Sequence, residues 1–130
     1  MAYQSFEELE VWKRGCQLAV TVYEQLRGKR DFKLIDQMQR AAVSIPSNIA
    51  EGHERSPKDF IRFLRIASGS AAELRTQAYI AAKTVLLDAE QMTQIVDETK
   101  RLARMLQALR SRLASADQTP SPGKAGDYSD

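Results

Sequence analysis

Apolar residues return at alternating intervals of three and four from Leu9 to Leu113, the period of helices that each bury one stripe. Four rows can be traced. The first runs Leu9, Trp12, Cys16, Ala19, Tyr23 and Leu26, and the second Ile35, Met38, Ala42, Ile45 and Ile49. The third holds Phe60, Leu64, Ala67, Ala71, Leu74, Ala78, Ala81 and Val85; the fourth Met92, Ile95, Thr99, Leu102, Leu106, Leu109 and Leu113. Four helices with short connections predict an all-α, antiparallel up-down-up-down bundle of left-handed twist, held by interlocking rows.

Boundary residues support this division. Ser5 with Glu8 three residues later reads as a capping box opening helix 1, and Gly28 supplies the left-handed position that ends it near Arg27. Helix 2 is expected from about Leu34, kinked midway at Pro46 with Ser44 and Ser47 able to satisfy freed backbone groups, and ended by Gly52. Ser56, Pro57 and Asp59 fit the N-cap, the first helical position and the third (N3) of helix 3, which should run to about Leu86. Asp88, with Gln91 at the third position, then caps helix 4. From Ala116 no periodic row remains and Asp, Ser, Pro and Gly dominate, so residues 116–130 read as a disordered tail behind a single domain over 1–115.

The faces opposite these rows are unusual. On helix 1 a second apolar row, Val11, Gly15, Leu18 and Val22, lies about 90° from the first, wider than one small bundle needs, and reads as a contact with another subunit. Helix 2 carries Gln37, Arg40, Ser44, Ser47, Asn48 and Glu51 on its outer side, where Lys and Glu would be ordinary. Helix 3 carries Arg62, Ile66, Gly69, Glu73 and Ile80 across from its seam. A mid-helix glycine costs about 1 kcal/mol relative to Ala, so Gly69 points to close approach of another backbone. Glu51 and Glu73 are expected to pair with Arg40 and Arg62 rather than to act as catalytic carboxylates.

The run QRAAVSIPSNIAEG, followed by SPKDFIRFL and IASGSAAEL, resembles the signature of the bacterial four-helix bundle proteins linked to 23S rRNA intervening sequences. That family also includes the accessory variability determinants of diversity-generating retroelements. The resemblance implies a bundle that assembles as a homopentameric ring, with nucleic-acid binding proposed for its basic surfaces, and no known reaction. This chain departs from the family pattern at Leu26-Arg27-Gly28, where an aromatic-Pro pair is usual, and at Arg75, where an acid is usual.

Composition changes the picture little until charge is located. The 130 residues are 43% hydrophobic and 28% charged, ordinary for a globular domain, and no apolar run is long enough to span a bilayer. The opening MAYQSFEELE lacks the basic and apolar regions of a secretory signal, so a cytoplasmic location is expected. Cys16 is alone and sits on a core row, and His53 is alone in a connection, which leaves no metal set, cofactor motif or nucleophile with its base. No enzyme is expected. Residues 1–115 hold 18 Lys and Arg against 14 Asp and Glu. Two clusters stand out: Lys29, Arg30 and Lys33 in the first loop, and Lys100, Arg101, Arg104, Arg110 and Arg112 in a stretch of helix 4 free of acids. The function expected is a non-enzymatic, homo-oligomeric accessory protein that binds structured RNA or DNA through these clusters with little sequence specificity. The alternative is a scaffold that binds a protein such as a reverse transcriptase without touching nucleic acid.

Overall fold

The computed structural model describes residues 5–118. A 3-10 turn, Phe6–Glu8, leads into α1 (Glu10–Leu26), α2 (Phe32–His53), α3 (Pro57–Lys83) and α4 (Ala89–Gln118), with no strand among the described residues. Each connection is a few residues long, so each helix folds back along its predecessor. α2 packs between α1 and α3, α3 between α2 and α4, and α4 closes on α1 along a sparser seam. The result is a four-helix bundle. Its centre is filled by Met38, Ile45, Ile49, Leu64, Leu74, Ile95, Leu102 and Leu106, all fully buried. Each such side chain contributes about 1.5–3 kcal/mol through removal from water.

Local chemistry explains the helix ends. Ser5 caps the 3-10 turn, accepting from the Glu7 amide at 3.1 Å, while extended Leu9 interrupts the helix and is buried. In place of the capping box expected with Glu8, the Ser5 hydroxyl bonds both the amide and the carboxylate of Glu7, and α1 begins at Glu10. Gly28 has φ 78, as a left-handed stop requires. Asp31, accepting from the Leu34 amide, starts α2 at Phe32, and the helix runs as one element through buried Pro46. The Ser56 cap holds the Asp59 amide at 3.3 Å, and Asp88 and Gln91 cap each other's backbone amides at 2.8 and 3.1 Å.

Three expectations are corrected. Gly52 is not the last residue of α2, which runs on to His53. It is buried in the last turn, where a Cβ would lie 2.6 Å from Phe63 Cβ and 2.9 Å from Phe60 Cδ1, so glycine is required for α3 to approach. α3 stops at Lys83, before the expected Leu86. Val85, assigned to its seam, is instead 87% exposed with φ 66. The Leu86 amide bonds Ala81 O at 2.8 Å and the Val85 amide bonds Ala82 O at 3.3 Å, the paired bonds of a Schellman stop with valine in the place glycine usually takes.

The third correction concerns α1. Val11, Leu18 and Val22 are 5, 2 and 0% exposed, and Gly15 is buried with them, so this row belongs to the subunit's own core and not to a contact between subunits. The reason is the direction of packing: the buried stripe turns toward α2, and a Cβ on Gly15 would meet Pro46 Cβ and Cδ at 3.4 Å. Tyr23, placed on the inner row, is 45% exposed, and Trp12 and Cys16 are only partly covered. Burial pushes the Cys16 thiol pKa up, so the group is a poor thiolate.

Candidate nucleic-acid and subunit interfaces

The two basic clusters lie at different places on the bundle. Lys29 donates to the Leu86 carbonyl at 2.6 Å and approaches Gln91 Oε1 at 3.5 Å, which ties the α1–α2 connection to the α3–α4 connection at one end. Its ammonium is a structural clasp. Arg30 and Lys33 remain exposed beside it. Phe32, between them, is 76% exposed, and as the first residue of α2, off its buried row, it was hidden from any periodic reading. Asp31 is occupied as the cap of α2.

α4 presents the second cluster. Lys100, Arg104, Ala108 and Arg112 are spaced by four, so they form one slowly turning exposed row about 18 Å long. Lys100, Arg104 and Arg112 make no ion pair among the described residues. Arg101 lies 3.5 Å from Glu98, whose carboxylate is also gripped by Arg14 at 2.9 and 3.1 Å across the α1–α4 seam. That side-chain hydrogen bond is the main reason the Arg14 pKa is raised. Arg110 is turned toward α3, donating to Ser68 at 2.7 Å and to Gln107. Of the five residues in the cluster, three are therefore free to meet an anion. Along α4 the row begins about 14 Å and ends about 32 Å from Gln91, the residue that Lys29 approaches.

The outer faces of α2 and α3 do come together. Gln37, Arg40, Ala41 and Ser44 of α2 and Glu73 and Gln77 of α3 line one groove of about 480 Å³. Ser44 Oγ and Ser70 Oγ share a hydrogen bond of 2.8 Å across it, and Asn48 Nδ2 donates to Ser44 O and Oγ at 2.8 and 2.9 Å. The expected pairing of Glu51 and Glu73 with Arg40 and Arg62 is not found. Arg40 bonds Asp36, Arg55 bonds Glu51 and Arg62 approaches Asp59, each within one helix or its cap, because residues three or four apart are the nearest neighbours available. Arg55 and Arg62 also sit over the Phe63 ring at 5.2 and 4.6 Å. Glu73 makes no ion pair among the described residues. Ile66 and Ile80 are 42 and 46% exposed on the same side, and a Cβ on Gly69 would meet nothing within 4 Å. No backbone of this subunit approaches Gly69.

His53 lies at the other end of the bundle, edge-on to Phe6 and Phe60 with centroids 6.4 and 5.6 Å apart. Its Nδ1 is buried without a hydrogen-bond partner, 3.7 Å from the exposed Glu54 carboxylate. No group of three or more His, Cys, Asp or Glu among the described residues could hold a metal ion. None of the described helices is long and apolar enough to cross a membrane.

Comparison with known proteins agrees with this geometry. The model of a family described as 23S rRNA-intervening sequence protein matches residues 7–108. A crystal structure of a protein of unknown function from the S23 ribosomal protein family of Bacteroides thetaiotaomicron VPI-5482 superposes with a TM-score of 0.72 at 26% identity, covering 77% of this chain and 97% of that one. No curated protein matches.

Proposed function

Since the chain belongs to the 23S rRNA-intervening sequence protein family, we propose that it is a non-enzymatic accessory protein that assembles from copies of itself and binds structured RNA, or DNA, through phosphate contacts. The observation that carries this reading is the unpaired row Lys100, Arg104 and Arg112 on a stretch of α4 without an acid. Such a row follows a backbone without reading bases, so affinity depends on salt more than on sequence. Arg30 and Lys33 flank exposed Phe32 at the opposite end, and that ring offers a stacking surface for an unpaired base.

Assembly strengthens the electrostatics. A pentamer, the number the sequence resemblance implies, would raise the +4 balance of residues 1–115 to roughly +20, a field large enough to attract a polyanion. The α2–α3 groove, with Ile66 and Gly69 beside it, is the face offered for that assembly, with α2 bent at Pro46 where the missing N–H frees one carbonyl.

The test is an anisotropy titration of structured RNA and duplex DNA across roughly 50–200 mM salt. Replacing Lys100, Arg104 and Arg112 together with Glu should lower the salt slope by about 3, one unit for each phosphate contact removed. Absence of binding at the lowest salt, or binding indifferent to salt, would refute the reading. A protein partner captured equally by the native protein and the triple variant, with nucleic acid recovered with neither, would favour the scaffold instead.

A further inference from the structure

Gln77, like Gln25 and His53, has a buried polar atom without a hydrogen-bond partner among the described residues, and it alone of these three lines the α2–α3 groove. It is 9% exposed on α3, lines the α2–α3 groove, and its Oε1 has no hydrogen-bond partner. An unmade hydrogen bond of this kind is expensive, so such groups are rare and call for a partner from outside. One turn away on the same helix stands Glu73, also lining the groove and without an ion pair among the described residues. Residues four apart on a helix lie one above the other, which places a carboxylate and an amide oxygen side by side as two acceptors. The groove's cation, Arg40, is already held by Asp36 at 2.9 Å.

We infer that the α2–α3 groove is a socket for one arginine side chain from a second copy of this chain, with the Glu73 carboxylate and Gln77 Oε1 as its acceptors. The chemistry selects the occupant. Two acceptors and one uncompensated negative charge repel a phosphate and attract a donor cation. A guanidinium carries five N–H groups in a planar fork and can reach both oxygens, which a single ammonium does less well. The chain itself supplies such a group outside the phosphate-binding row: Arg65 is exposed and has no acidic partner among the described residues. Ile66, Gly69 and Ile80 on the same side of α3 add exposed, sterically open surface beside the groove.

This inference rests on the proposed self-assembly, and the experiment separates the two. Sedimentation equilibrium of the full chain at micromolar concentration gives the assembly constant for the native protein, Glu73→Gln and Gln77→Leu. Both variants should dissociate at least tenfold more readily. Gln77→Leu should at the same time leave the urea midpoint of the dissociated subunit unchanged or higher, because it removes a buried acceptor the subunit cannot satisfy. Glu73 is on the surface, so Glu73→Gln keeps the test valid even if Gln77→Leu folds poorly. A native protein that stays monomeric would remove the assembly and the socket together. A native assembly matched by both variants would remove the socket alone, as would a dependence on Glu73 and Gln77 that appears only when RNA is added.

Discussion

The two flanks of α2 are built on different principles. Against α1 the helix is sealed at its inner edge: Gly15 lies on Pro46, and Leu18 and Val22 are fully covered. Against α3 the inner edge is equally tight, at Gly52, but the outer edge opens into a groove where Gln77 lacks a partner and Glu73 an ion pair. The first flank also opens at its outer edge, beside exposed Tyr23 and Val43, but none of the residues lining that opening is a buried polar group without a partner. On the second, several choices are costs to the subunit, and the simplest account is that something outside it answers them. The difference divides the molecule into residues that make the fold and residues that use it.

The sharpest way to break this division is to exchange the two kinds of effect. Leu18→Ala deletes a side chain 2% exposed on the sealed flank and should cost about 3 kcal/mol of stability by urea denaturation. Tyr23→Ala, on the same helix but 45% exposed, should cost under about 1 kcal/mol. If the two substitutions cost the same, the buried stripe of α1 has been misplaced and the row could again serve a neighbour.

Two glycines give a smaller but cleaner contrast. Gly52→Ala drives a methyl to within 2.6 Å of Phe63 Cβ, and the overpacking should cost about 2 kcal/mol, since neither helix can retreat without opening the seam. Gly69→Ala meets open space and should raise subunit stability by about 0.5–1 kcal/mol through helix propensity. Thermal denaturation of both variants checks the pair. A loss at Gly69 would mean that its surroundings within the subunit are closed.

How much of this could be read from the residues depended on whether one subunit sufficed to explain them. The apolar rows of α2, α3 and α4 are three- and four-spaced with polar residues around them, so their direction was unambiguous, and the caps at Asp88 and Ser56 follow from side-chain chemistry at fixed offsets. α1 misled because it is apolar over a wide arc, and periodicity states which residues share a face without stating which face a neighbour takes. Gly52 misled for a related reason: a glycine near a helix end signals either a left-handed stop or a close approach, and only the position of Phe63 separates them. Gln77 carried no signal, because a glutamine on a helix is ordinary until its burial is known. The α4 cluster was visible as a run of charge, but the diversion of Arg110 to Ser68 and of Arg101 toward Glu98 is a tertiary fact.

Val85 extends the division to the end of the bundle and has the smallest of the expected effects. It is β-branched, left-handed at φ 66 and 87% exposed, three properties that a subunit optimised alone would not combine. A left-handed L-residue costs roughly 1–2 kcal/mol, and glycine relieves it at some loss to unfolded-chain entropy. Val85→Gly should therefore stabilise the subunit by about 0.5–1 kcal/mol while keeping the Leu86 and Val85 amides on their carbonyls. Amide exchange of Leu86 and the denaturation midpoint read the two halves of that expectation. A destabilised variant would mean the valine side chain, exposed as it is, packs against something that the turn needs, and this turn would then belong with the residues that make the fold.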